Sequence, residues 1–419
     1  MPTVRPGFGR LLVLVLALLP ASVHPSGFSV FSQNAKALAQ ANAVIAHNDG
    51  PSTLFYNPAL AAELRGTQVE AGTTMVYDDR RFKSDQTGAT TGNESGAKFP
   101  STFYLTHALD DGVTLGLAGF NPFGLGTRWA DTWEGRYIAT RSELTTYVVN
   151  PVLSWRVFPG ISVAAGVDYM MLDSSLEKKL NFQPLGLGDG SQEFTANGDA
   201  WGYNLAVALK PTRELQVGLA YRSGFDARMN GHLRTELPPG TPSALASQFP
   251  DTKAGTVLHL PDQVQLGVSY QLSERLTVEG AFRWENWSTY SQLTVNLKDP
   301  VRGQTSQTIV KDWHDSHAFL LGAQYRLDER WTVMAGYLYE TSPVPDRTFE
   351  PSSPDSDSQV FSAGLSFRWQ NFETALGYGF QWKMDRDKHN AVGAAAGGTA
   401  NGRYESYIHL LGVSLTYRF

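Results

Sequence analysis

Over most of its length the chain alternates large apolar residues with small or polar ones. Between Leu365 and Trp382 one parity reads Leu365, Phe367, Trp369 and, past Gln370-Asn371, Phe372, Thr374, Leu376, Tyr378, Phe380 and Trp382. The other reads Ser366, Arg368, Glu373, Ala375, Gly377, Gly379 and Gln381. Successive side chains of a strand point to opposite faces, so these are strands with one oily face and one small or charged face. The same period marks segments near 67–78, 99–110, 113–124, 142–156, 161–180, 192–210, 214–228, 257–271, 275–295, 306–327, 330–340, 358–369, 372–386 and 404–419. Short connections such as Asp110-Asp111-Gly112, Phe158-Pro159-Gly160 and Asp328-Glu329 carry turn residues suited to hairpins. Between them fall long polar connections near 79–98, 125–141, 181–191, 226–256, 296–305, 341–357 and 387–403. An even strand count, with short turns on one rim and long loops on the other, predicts an all-β fold: a 14-stranded antiparallel transmembrane β-barrel. A soluble sandwich or propeller would have connections of similar length at both ends.

The distribution of rings and charges says which face meets lipid. Trp331, Tyr337, Tyr339, Trp369, Phe372, Tyr378, Phe380, Trp382, Tyr417 and Phe419 lie toward strand ends on the large-residue parity, where amphipathic rings form girdles at the headgroup level. Arg222, Glu279, Arg283, Arg326, Arg368, Glu373 and Arg418 lie on the other parity. A charge facing mid-bilayer lipid costs about 2–4 kcal/mol, so these residues belong inside and the oily parity faces out. The terminal "HLLGVSLTYRF" places Leu411, Val413, Leu415, Tyr417 and Phe419 on one face. It resembles the signal by which barrel assembly machinery selects outer-membrane substrates.

Bulk composition fits this picture without proving it. Hydrophobic content is 42% and mean hydropathy is -0.25, which a barrel tolerates because only alternate residues meet lipid. The absence of cysteine suits an oxidising compartment. A net charge of -6 with no basic block gives no argument for nucleic-acid binding. Arg5 and Arg10 precede the apolar run "LLVLVLALLP", too short to span a bilayer, so residues 1–26 are expected to be a signal peptide and the mature chain to start near Ser26 or Gly27. The expected location is the outer membrane of a Gram-negative cell, as a multi-pass barrel and a monomer, in contact with outer-membrane lipid and lipopolysaccharide.

Residues 27–66 break the alternation. The stretch is rich in Ala, Asn and Gln, with helical turns expected at 34–46, yet it carries Phe28, Phe31, Leu54, Phe55, Tyr56 and Leu60. That is too much apolar surface for a solvated tail. A barrel of this size leaks unless something fills it, so the segment is expected to be an internal hatch, with residues 67–419 forming the barrel.

"SGFSVFSQNAKALAQANAVIAHNDGPSTLFYNPA" resembles the N-terminal hatch of the FadL/TodX family of outer-membrane transporters for long-chain fatty acids and other hydrophobic compounds. The stretches 121–157, 283–293 and 322–345 resemble that family's later strands, so the similarity runs over essentially all of the mature chain. The resemblance implies passive uptake of fatty acids or hydrocarbons. It assigns Gly27, Phe28, Asn57, Pro58 and Ala59 to the hatch, with Phe28 against the inner ligand site. It also implies a kink in the third strand that opens the wall, at Gly119, Phe120, Asn121, Pro122, Phe123 and Gly124. Proline removes a ladder hydrogen bond and glycine weakens the pleat, so this stretch is anomalous for a sealed wall. The plainer alternative is that the strand ends at Phe120 and a turn follows.

Apolar residues in two long loops, Leu185 and Leu187 in one and Leu233, Leu237, Leu245 and Phe249 in the other, suggest a capture groove or, alternatively, two loops packed on each other. A fatty-acid carboxylate would want a cation, for which Arg128, Arg136, Arg222 and Arg283 qualify by inward or loop placement. A general porin for polar solutes and a barrel hydrolase are the alternatives. In "WHDSHAFLL" Asp315 and His317 share a face while Ser316 points the other way, so no local nucleophile–base pair forms. No phosphate loop or metal-ligand spacing occurs, and no cofactor or metal is expected.

Overall fold

The computed structural model describes residues 27–110 and 112–419; the expected signal peptide lies outside them. The wall is a closed 14-stranded antiparallel barrel. The first strand, Thr67–Ser84, pairs with the last, Gly402–Arg418, from Gln68–Arg418 to Ser84–Gly402, and this closes the sheet. The parity reading holds: Leu376 on the outer face is 45% exposed and its neighbour Ala375 is 2% exposed. Arg222, Glu279, Arg283 and Glu373 are buried in the lumen.

Several wall strands are interrupted. The third runs Val113–Phe120 and resumes at Gly124–Arg128. The seventh runs Leu215–Arg222 and Phe225–Glu236, and the eighth Thr252–Leu260 and Gln263–Gln271. The ninth, Leu276–Glu285, is followed by a hairpin, Gln292–Val301 and Gln304–Val310, before the tenth, Ser316–Arg326. About half of the connection expected at 226–256 is therefore strand, at its two ends. Its polarity is inverted relative to the spanning part. Phe225, Ala227, Met229 and Leu233 are buried, whereas Asp226, Arg228, Asn230 and His232 are exposed. A sheet continuing above the bilayer faces water outside and packed loops inside, so oily-out alternation no longer describes it.

The hatch fills the lumen. A short helix, Ala35–Ala39, starts where the Asn34 side chain accepts from the Lys36 and Ala37 amides. It stops at Ala41 and Asn42, both at positive φ, so the helical turns expected at 34–46 cover only its first part. Asn57 caps a second turn, Pro58–Glu63, by accepting from the Ala59 amide, and its own amide donates to Ile45 O at 2.7 Å. Small lumen-facing residues make room for this chain. A Cβ on Gly336 would stand 2.2 Å from the Gln40 carbonyl carbon, and one on Gly218 would stand 2.0 Å from Ile45 O.

Candidate functional site

The second strand, Ser101–Ala108, pairs with the third only between Phe103–Gly119 and Ala108–Thr114. Beyond that the third strand bulges away: its fourth-strand partner advances from Val148 to Thr145 while the third advances from Phe120 to Gly124. Pro122 thus sits in the middle of a strand that resumes. The Asn121 side chain spans part of the gap, accepting from the Ser101 amide at 3.1 Å and donating to Thr146 O at 2.6 Å. The Thr146 hydroxyl on the fourth strand accepts from the Phe123 amide at 3.1 Å and donates to Phe123 O at 2.6 Å, and the remaining groups are met from inside. Val30 N donates to Pro122 O at 2.8 Å, and Gly124 N donates to Phe28 O at 2.9 Å. The first residues of the hatch therefore act as a short strand added to the kink, with Ser29 bridged to Phe123.

Phe28 anchors this arm in an aromatic cage. Its ring centroid lies 4.6 Å from Trp287, 5.7 Å from Trp313, 6.0 Å from Tyr290 and 6.4 Å from Phe123. Of the cage residues, Trp287, Tyr290 and Trp313 have no place among the site residues expected from the sequence. Their only signal was aromatic density in "ENWSTY" and "KDW", stretches that flank a strand and a hairpin. Beside the arm is a cavity of about 550 Å³. Phe31, Val76, Leu338, Val360, Ile408 and Leu410 give it apolar walls, and both lips of the open seam line it, Phe99-Pro100 on one side and Gly124-Leu125-Gly126 on the other. Phe99 is 60% exposed, so an apolar side chain stands at the outer mouth of the seam.

The four candidate arginines fall in different places. Arg283 lines this cavity and donates to Glu340 at 2.7 Å. Arg222 pairs with Asp168 at 2.5 Å and lies under Phe120 and Phe55, so its charge is already matched. Arg136 binds Asp189 at 2.7 Å between loops, and Arg128 is exposed. The loop leucines do not come together as an open groove. Leu233 and Phe249 are buried, Leu187, Leu237 and Leu245 pack against the core, and Phe182 meets Phe249 at 5.7 Å. Leu185 alone of the six is strongly exposed, at 61%. Asp315 accepts from Trp284 Nε1, His317 stacks on Phe282, and Ser316 faces Glu285 at 3.5 Å, so these three residues are engaged separately.

The body of the hatch is held by charge. Glu279 accepts from the Ile45 amide at 2.5 Å, the Ala46 amide at 3.0 Å and His47 Nδ1 at 2.6 Å. Burial alone would lower the His47 imidazole, but the carboxylates of Asp49 and Glu279 prevail and raise it to about 10. Lys36 reaches Glu373 at 3.0 Å, and Glu373 also receives Arg368 and Arg418.

A plugged antiparallel barrel with girdled outer face and an interrupted wall defines an outer-membrane transport protein. The family of outer membrane protein transport proteins (OMPP1/FadL/TodX) matches residues 16–419, and the chain belongs to it. A putative outer membrane protein of Neisseria meningitidis is 24% identical over 97% of this chain and 98% of its own length. The long-chain fatty acid transport protein of an Escherichia coli strain is 23% identical over 85% and 86%. Among solved structures, a FadL homologue of Pseudomonas aeruginosa superposes with a TM-score of 0.85 at 20% identity, covering 94% of this chain and all of that one. The toluene transporter TodX of Pseudomonas putida superposes at 0.74 and 17% identity, covering 94% and 100%.

Proposed function

We propose that the protein takes up long-chain fatty acids or other hydrophobic compounds by passive transfer, and that cargo leaves the cavity sideways, through the seam at the third strand. The family supports hydrophobic cargo: relatives are named for long-chain fatty acids and for toluene. The observation that carries the sideways exit is the pair of main-chain bonds from Phe28 and Val30 to Gly124 and Pro122. Each such bond is worth roughly 0.5–1.5 kcal/mol net, and burying the Phe28 ring adds about 1.5–3 kcal/mol. A closure of that size is reversible: cargo that occupies the aromatic cage displaces Phe28, the arm leaves the kink, and the seam opens toward lipid. A polar-solute porin fits less well, because the hatch occupies the lumen and the cavity walls are mainly apolar.

The test is a continuous third strand. Pro122→Val combined with Gly124→Val restores the missing donor and stiffens the pleat, and uptake into cells should fall about tenfold while the barrel remains folded by heat-modifiability. Undiminished uptake by the folded variant would exclude the seam as the exit.

A further inference from the structure

The lumen beside the arm holds buried hydrogen-bond donors that lack acceptors. Arg283 is 1% exposed; Nη2 donates to Glu340, Nε stands 3.5 Å from Glu285 Oε2 without hydrogen-bond geometry, and Nη1 has no acceptor among the described residues. Its guanidinium lies 3.4 Å from the Phe31 ring centroid. Four residues on, the Trp287 indole N–H is likewise buried without an acceptor, against Phe28. The nearby carboxylates are engaged. Glu285 receives Ser29 Oγ at 2.5 Å and Gln263 at 3.2 Å, and Glu340 receives Ser358 and Gln381, each at 3.3 Å. Buried polar groups are normally satisfied, so an orphaned donor on Arg283, which lines the cavity, calls for an oxygen from outside the chain.

Charge decides which oxygen. Arg283 lies between two carboxylates, Glu340 at 2.7 Å and Glu285 at 3.5 Å. The other cations lining the cavity, Arg80, Lys98 and Lys383, pair with Asp78, Glu143 and Asp355. Among the described residues every cationic side chain lining the cavity has a carboxylate partner, and an anion placed at Arg283 would face two carboxylates in a low-dielectric site. We propose that the cavity selects uncharged amphiphiles whose head carries an oxygen acceptor (an alcohol, ketone, ester or protonated acid), with Arg283 donating to that oxygen. The proposal rests on the uptake reading above and narrows it. Arg283 is then a specificity residue for a neutral head and not a carboxylate partner.

Quenching of tryptophan fluorescence by twelve-carbon probes tests this at pH 8: 12-bromododecanol, 12-bromododecanoate and 1-bromododecane, added to the full purified barrel. The alcohol should bind at least about tenfold tighter than either of the others. Arg283→Met should bring the alcohol down to the level of the bromoalkane and leave the bromoalkane unchanged. Glu340→Gln, which removes one of the two carboxylates, should strengthen the carboxylate probe several-fold. If Arg283→Met fails to fold, the order of the three probes on the parent barrel and the gain of the carboxylate probe in Glu340→Gln decide the question. Tightest binding of the carboxylate, or equal loss for alcohol and alkane in these variants, overturns the proposal. Binding of the alkane with no preference for the alcohol overturns it while leaving hydrophobic uptake intact, whereas no binding of any probe overturns both.

Discussion

The barrel wall is interrupted on two sides, and the two breaks are mended by different parts of the molecule. At the seventh and eighth strands, Ser223-Gly224 and Pro261-Asp262 leave the ladder, and the wall repairs itself. Ser223 N donates to Tyr203 O and Tyr203 N to Ser223 Oγ, both at 2.9 Å. Asp262 accepts from Tyr221 at 2.6 Å and from the Gly224 amide at 3.0 Å. At the third strand the repair comes partly from Asn121 and Thr146 in the wall and partly from the hatch, through Phe28, Val30 and Gln33. Groups fixed in the wall make a permanent bend. Groups on a separate segment, held by a few kcal/mol, make a closure that can leave.

The contrast can be broken or sharpened in three ways. Deleting residues 27–66 removes the plug and one mend together, and should turn a closed barrel into an ion-conducting pore in planar bilayers; a truncated barrel as closed as the parent would end the plug reading. Asp262→Ala attacks the other mend. It should lower unfolding stability by about 1 kcal/mol in urea, since it strands two partly buried donors, Tyr221 Oη and the Gly224 amide, yet leave uptake per folded barrel unchanged. The smallest effect concerns pH. His47 is raised above its ordinary value near 6.5, so its pairing contributes fully below that pH and is lost as pH rises through about 10. Hatch anchorage should therefore weaken between pH 7 and 10, with leak conductance rising about threefold, and His47→Gln should flatten that rise.

What was legible in the sequence follows from the solvent on each side of the sheet. Lipid on one face and a packed lumen on the other force a period of two, so Leu376 and Ala375 could be assigned opposite sides directly. Pro122 was legible as an anomaly because proline has no donor to give a ladder. The extension of the seventh and eighth strands was not, because above the bilayer the outward residues Asp226, Arg228 and Asn230 meet water and read as loop. Nor could the pairing of Arg222 be foreseen. It depends on a partner, Asp168, 54 positions away and brought alongside only by the register of the intervening strands. The orphaned donors of Arg283 were equally hidden, because an unsatisfied N–H is defined by what surrounds it.

The hatch also sets a clock on assembly. Asn34 bonds both Glu70 on the first strand and Ser414 on the last, at 2.6 and 3.4 Å, and Lys36 reaches Glu373 on the thirteenth. A segment made first thus finds its seat only when the residues made last have arrived. Such distant partners make for slow, late docking, so a newly inserted barrel should pass through an interval in which its wall is complete and its core is still empty.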